Sequence, residues 1–256
     1  MGGTDDARAD TDDDVYELYY WPVIPGRGEI VRLVLEDAGA VYRDVARRPE
    51  EQGGGFPAVV GARRGALGGL RPFAPPVLRH GELVIAQTLA ILQYLGPRHG
   101  LAPADEAGRI QTLQLGLTWM DLLVEAHDTH HPIGTALYYE DQKDAAREAA
   151  RVFRTERLPG WLDYFEAVLD ANGTGWHLRD RATTADLVAF FVLDGLAYAF
   201  PRAWEALAPD HPRLAALRDR VADRPGIAAY LASDRRIPFN EDGIFRRYPE
   251  LDPPAE

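Results

Sequence analysis

Two short segments about sixty residues apart constrain the fold of this chain most strongly. The first is Tyr20-Trp21-Pro22 followed by Gly26-Arg27-Gly28-Glu29-Ile30-Val31-Arg32. The second is Pro76-Val77-Leu78-Arg79-His80-Gly81, running on to Gln87-Thr88-Leu89-Ala90-Ile91-Leu92. Each reads as strand, turn and helix start, and each places backbone N–H groups where an anionic, peptide-like ligand could sit. Val15 to Trp21, rich in Val, Tyr and Trp, predicts a strand. Ile30, Leu33, Val34 and Ala38 recur at helical spacing and predict a helix over 28–38, with Gly39 just past its end. Val41 to Val45 alternates as a second strand. The glycine-rich stretch 46–72 reads as loop. Val77–Arg79 and Leu83–Ile85 flank a His80-Gly81 turn, and Thr88–Leu95 reads as a helix stopped by Gly96-Pro97.

From Glu106 onward the pattern is helical only. Ile110, Leu113, Leu117, Met120 and Val124 form one stripe at spacings of three and four. Residues 145–169 form a second helical stretch ended by Asn172-Gly173. Thr183 with Asp186 has the spacing of a capping box and opens a third helix. Pro212 suits the first turn of a fourth, and 226–232 a fifth. The order β-α-β, then β-β-α, then helices predicts an α/β thioredoxin-like domain over 15–96, a linker over 97–105 and an all-α bundle domain over 106–256. Residues 1–14 hold six aspartates and no apolar cluster, the composition of a disordered acidic tail.

Composition removes several function classes. The net charge of −12 argues against nucleic acid or an anionic membrane as partner. No apolar run reaches the roughly 18 residues of a membrane span. The Met-Gly-Gly-Thr-Asp-Asp start is neither a secretory signal nor a transit peptide, so a cytoplasmic location is expected. The chain has no cysteine, and its serine, Ser233, lies far from the first strand. A thiol or serine nucleophile after that strand is excluded. Lys143 is the only lysine among 28 basic residues, a bias typical of high-GC bacterial genomes.

The two segments, and most of residues 15–240 with them, resemble glutathione S-transferases of the branch that uses tyrosine, as in the alpha, mu, pi and sigma classes. The resemblance implies that Pro76 follows a cis peptide bond and that Val77 pairs antiparallel with the cysteinyl backbone of glutathione, along an exposed strand edge. It implies that Gln87 and Thr88 receive a carboxylate at a helix N-terminus. Without that context Thr88 would read as a plain N-cap. It chooses Tyr20 over Tyr19 as the hydroxyl that stabilises the thiolate. The stretch from Tyr20 to Gly26 is one residue longer than the family pattern, through the Ile24-Pro25 region. Arg27 then approaches the glycyl or γ-glutamyl part of the thiol. Phe56-Pro57 looks like a Trp-Pro pair of sigma-type members; the lysine usual soon after it is missing, with Arg63 and Arg64 as substitutes. Asp128 falls near an acid that reaches the partner subunit's glutathione, in a homodimer.

His127 and His131 are four apart and could share one helix face, a spacing that suits a metal. No HExxH pattern accompanies them and the sequence offers no evident third ligand. They are read instead, with Trp21, as lining an acceptor pocket, and no metal is assigned. The function expected is conjugation of a small thiol, glutathione by resemblance, to an electrophilic small molecule in detoxification. The alternatives are a thiol-dependent isomerase or peroxidase on the same fold, and a non-catalytic binding member.

Overall fold

A computed structural model describes residues 15–254. The acidic stretch 1–14 lies outside the described residues. Among these, four strands form one mixed sheet: β1 (Tyr16–Tyr19), β2 (Tyr42–Asp44), β3 (Val77–His80) and β4 (Leu83–Ala86), in the order β2-β1-β3-β4. β1 runs parallel to β2, across the helix α1 (Gly26–Asp37), and antiparallel to β3. Leu18 of β1 points into the main core with Ile30, Leu33 and Val34 of α1, while Tyr19 points to the other face with Val45, Ala62 and Val77. This is the period-two alternation of a strand with both faces covered.

The stretch expected to be loop folds in part. Short 3-10 turns at Val45–Arg47 and Glu50–Gln52 lead into α2 (Gly55–Arg63). The glycine run that suggested flexibility is a packing requirement. A Cβ on Gly54 would lie 2.0 Å from the Arg48 carbonyl oxygen. Val59 and Ala62, three apart, bury the helix on the sheet. A second correction concerns β3. It is an interior strand, with Val77 opposite Tyr19 on one side and Ala86 on the other. Only the Pro75-Pro76 segment, whose peptide bond is cis as expected, precedes the ladder.

After the hairpin, α3 (Thr88–Arg98) runs through Pro97 instead of stopping before it. The proline stands in the last turn, so the one helical bond it removes, to the Gln93 carbonyl, lies at the helix end and not in its interior. Leu101 N–H then closes the end on the Gly96 carbonyl at 2.8 Å. α4 (Glu106–Asp128) opens on Asp105, which accepts from Gly108 N–H at 2.8 Å. Its buried face is Thr112, Leu115, Gly116, Trp119, Leu122, Leu123 and Ala126. The apolar stripe read from the sequence lies largely elsewhere: Ile110, Leu117 and Val124 are exposed.

The next helical stretch is longer than expected and is interrupted. α5 (Lys143–Val152) passes through a π-helical turn at Phe153–Arg157 into α6 (Leu158–Asn172), which ends on Gly173 in the left-handed conformation. α7 (Thr184–Ala199) is buried almost all round and stands at the centre of the bundle. Its start is the expected box: Asp186 accepts from Thr183 N–H at 2.7 Å and from Thr183 Oγ1 at 2.9 Å. The same carboxylate accepts from His177 N–H and Nδ1, and His177 Nε2 accepts from Trp119 Nε1, so Trp119, stacked on Phe165, is locked to α7. α8 (Pro201–Leu207), α9 (Pro212–Ala222) and α10 (Pro225–Leu231) each open with proline in the first turn; α8 was not anticipated. Among the described residues no single helix is long and apolar enough to cross a membrane.

α1 is bound to the helical layer by buried charge. Glu29 and Arg32, one turn apart and fully buried, form an ion pair at 3.2 Å. Arg32 also reaches Asp44 at 2.7 Å, while Glu29 accepts from the Tyr230 hydroxyl at 2.9 Å and pairs with Arg236. Breaking one member of such a set leaves a buried charge without its partner, typically ~3–5 kcal/mol.

Candidate active site

Tyr20 follows β1 directly and is 5% exposed. Its ring lies against the first turn of α1 so closely that a Cβ on Gly28 would fall 2.3 Å from the ring. Glycine is therefore required there by the tyrosine. The Tyr20 oxygen accepts the Arg27 N–H at 2.9 Å. That N–H belongs to the helix's first turn, which has no partner within the helix. The backbone takes the acceptor side of the hydroxyl and leaves its O–H to be given away. Burial pushes the Tyr20 phenol up, against the lowering effect of the Arg27 N–H and the Arg32 and Arg27 charges, so it stays protonated at neutral pH. Tyr19, on the other sheet face, donates to Glu17 at 3.2 Å and is pushed up to about 12, mainly by burial.

The Arg27 guanidinium is half-buried beside Tyr20 and makes no ion pair among the described residues. Burial holds its pKa down. A cation in that state favours an anionic ligand. Thr88 supplies a second open position. It is the first residue of α3, buried, and its Oγ1 has no hydrogen-bond partner among the described residues. It is not the N-cap; that position is Gln87, whose φ of 71° lies in the left-handed region. A strained, non-glycine residue before an unsatisfied buried hydroxyl at a helix N-terminus marks a place shaped for something other than the helix.

Other expected residues are placed differently. Trp21 and Phe56 meet each other, ring centroids 5.9 Å apart, which puts Trp21 against α2. Phe56 is 47% exposed. Arg63 donates to the Phe73 carbonyl at 3.2 Å, and Arg63 and Arg64 line a separate cleft of about 520 Å³ with Arg71. Asp128 is exposed, with His127 Nδ1 3.2 Å from its carboxylate. His127 and His131 do not share a helix face, because α4 ends at Asp128. The chain turns through Thr129, whose hydroxyl donates to the Ala126 carbonyl at 2.7 Å, and this brings in His130, which the sequence reading left out.

The chain end also reaches this region. Asn240 donates to the Val23 carbonyl at 2.9 Å, pinning the loop that carries the extra residue after Tyr20. Ile244 O lies 2.8 Å from His130 Nε2. No local pattern in 238–248 announces this; the contacts span more than 100 residues.

Comparison with known proteins agrees with this geometry. A family model described as glutathione S-transferase, C-terminal domain, matches residues 127–234. The hematopoietic prostaglandin D synthase of Gallus gallus is 27% identical over 84% of this chain and 94% of its own length. The solved Pi-class glutathione S-transferase of Onchocerca volvulus superposes with a TM-score of 0.66 at 24% identity, over 84% of this chain and 91% of the other. Glutathione S-transferase P 1 of Xenopus laevis is 30% identical over 226 residues, 86% of this chain and 93% of its own. With that identity over nearly the whole relative, the chain belongs to the glutathione S-transferase family.

Proposed function

We propose that the chain is a glutathione transferase of the tyrosine type, which attaches glutathione to an electrophilic small molecule. The observation that carries this reading is the Tyr20 hydroxyl, whose oxygen is held by the Arg27 N–H so that its proton is left to donate. A thiol bound beside it gains one hydrogen bond to its ionised form. Such a bond to a charged group contributes ~1.5–3 kcal/mol. A free thiol near pKa ~8.5 would then be substantially ionised at neutral pH. The thiolate forms a bond to the electrophilic carbon and either expels a leaving group with its electron pair or adds to an activated double bond whose carbanion then takes a proton, with proximity supplying the rest of the rate.

Thr88, with the N–H groups of α3, receives a carboxylate of the thiol, and Arg27 takes a second charge. Pro76 and Val77 flank its backbone at the start of β3, with Gln87 and Phe56 at the rim. The acceptor lies on the side of His127 and His131. The sequence division into 15–96 and 106–256, joined by 97–105, fits the change from sheet to bundle. A homodimer is supported by the unpartnered apolar stripe Ile110, Leu117 and Val124 on α4, with Leu70 and Phe73 each 87% exposed. Asp128, at the end of that stripe, would face the partner's thiol. The cytoplasmic location and detoxifying role rest on the family, and the bacterial source on arginine bias.

The test pairs two measurements. Thermal-shift titration against several low-molecular-weight thiols should show glutathione raising the melting midpoint by mass action. A thiol-exchange assay with a generic aryl electrophile should show turnover. Stabilisation without turnover would assign a binding protein, and neither response would refute the thiol site.

A further inference from the structure

The end of α4 gathers the three histidines His127, His130 and His131, and one ring nitrogen from each lies within 4.8 Å of the others. Their ring centroids are 4.9, 5.1 and 4.8 Å apart. Each ring's other nitrogen has a partner that decides where the lone pair goes. His127 Nδ1 faces the Asp128 carboxylate at 3.2 Å. An anion there calls for N–H on Nδ1 and leaves Nε2 free to coordinate. His130 Nε2 faces the Ile244 carbonyl at 2.8 Å. A carbonyl accepts only, so Nε2 carries the hydrogen and Nδ1 the lone pair. That Nδ1 is buried and has no hydrogen-bond partner in a residue only 2% exposed. A buried acceptor with nothing to accept among the described residues calls for an explanation, and an ion held with the two neighbouring imidazoles is one.

His131 completes the set. The Leu137 carbonyl takes a hydrogen bond from its ring. Gln142 Nε2 lies 3.1 Å from His131 Nδ1, but has carbonyl oxygens of Gly134, Leu137 and Tyr138 within 3.4 Å for its own two hydrogens. His131 Nε2 is open to a metal in the tautomer that carries its hydrogen on Nδ1. Burial, the leading cause in each case, holds all three imidazoles below their ordinary pKa, His130 at about 3. The charges of Arg27 and Arg246 also reach the cluster, and Asp128 opposes them.

We propose that His127, His130 and His131 form a three-imidazole site for a divalent transition ion of the zinc class, with its fourth coordination position open beside His127. Imidazole donors suit Zn²⁺, Ni²⁺ and Cu²⁺ and not Mg²⁺ or Ca²⁺. Metal–nitrogen bonds of about 2.0–2.1 Å in a tetrahedron require ligand separations of roughly 3.4 Å, so the rings close inward on binding. His127 is the only one of the three with appreciable exposure, its side chain 25% accessible, so access and the free position fall on its side. Two nearby guanidinium groups make an anionic fourth ligand, such as hydroxide or a thiolate, the favoured one.

The test uses the full chain without any histidine tag, stripped of metal. Titration with zinc chloride should show one equivalent bound at micromolar concentration or tighter, undisturbed by millimolar magnesium. Cobalt(II) should give the visible bands of a four-coordinate nitrogen site. His127→Ala should weaken binding by at least about tenfold to a hundredfold, and Asp128→Asn by a similar or smaller factor. Both positions are partly or well exposed, so these variants should fold; circular dichroism checks this. His131→Ala, which leaves the buried His130 in place, provides a second ligand deletion. No stoichiometric zinc binding, several weak equivalents only, or wild-type affinity in both His127→Ala and His131→Ala would overturn the site.

Discussion

Replacing Tyr20 with phenylalanine removes one oxygen that serves two partners, and the two losses are separable. The first partner is the thiol. Losing a donor to a thiolate should cost ~1.5–3 kcal/mol of transition-state stabilisation, about tenfold to a hundredfold in kcat/KM near neutral pH. The second partner is the Arg27 N–H, held at 2.9 Å in the first turn of α1. Leaving that N–H without an acceptor should lower folding stability by about 1–3 kcal/mol. For a chain of this size that corresponds to roughly 2–4 °C in melting midpoint per kcal/mol. The pH profile distinguishes the losses. The Tyr20 phenol is held protonated by burial, so its contribution is to keep the thiol's pKa low. Without it the bound thiol titrates nearer ~8.5, and activity should recover as pH rises. A merely structural fault would depress activity equally at every pH. The assay is thiol conjugation from pH 6 to 9, beside a thermal melt, with Tyr19→Phe as the control of unchanged profile. Full activity with an unchanged pH profile in the Tyr20 variant would refute the assignment, whatever the melt shows.

Thr88→Val should weaken thiol binding by about 1–3 kcal/mol in calorimetry while leaving the melting midpoint level or higher, because the lost hydroxyl has no partner in the free protein. Unchanged affinity would remove the carboxylate contact. Asp186→Ala should cost about 3–5 kcal/mol in denaturant melts, since it strands donors of both Thr183 and His177. Burial alone would raise the Asp186 pKa, but the His177 and Thr183 hydrogen bonds outweigh it and hold the carboxyl below its ordinary value. A group depressed in the folded state contributes fully above its unfolded pKa, ~3.9, and loses that contribution as pH falls through the lower folded value. Wild-type stability should therefore drop below about pH 4, and the Asp186→Ala chain should lose less over that range. Leu117→Glu, on the exposed α4 stripe, should turn a dimer into a monomer by light scattering with the monomer fold intact; a dimer that persists would move the interface elsewhere.

The fold was legible where periodicity and caps act locally. The strand at Tyr16–Tyr19, the hairpin at Gly81, the Thr183–Asp186 box and the proline at 212 each express a preference within one turn or one strand pair. Tyr20, Arg27 and Thr88 were singled out by the family resemblance; position alone left Tyr19 as a rival and Thr88 as a plain N-cap. What was missed depends on neighbours distant in sequence. The glycines before α2 read as flexible because the Arg48 carbonyl that one of them must admit is invisible to pattern. Glu29 and Arg32 look like a solvated pair on a helix until Tyr230 and Arg236 cover them. The stripe on α4 followed correct helical spacing but chose the outward face, because Gly116 and Thr112 on the buried face carry little hydrophobic signal. His130 was passed over because the spacing of four drew attention to His127 and His131 alone; the turn at Thr129 brings all three rings together.

The fully buried Glu29 carboxylate also bears on how such proteins can diversify. Its partners come from α1 itself and from residues some two hundred positions later. A recombinant joining the sheet half of this chain to the bundle of a distant relative would enclose a negative charge opposite whatever side chains that bundle offers. Unless a phenol and a guanidinium arrived in the same places, the hybrid would not assemble. The two halves of the molecule therefore have to match at this network. Innovation is channelled into the surfaces that the ion network leaves free: the turn after α4 and the segment from Asn240 to Arg246.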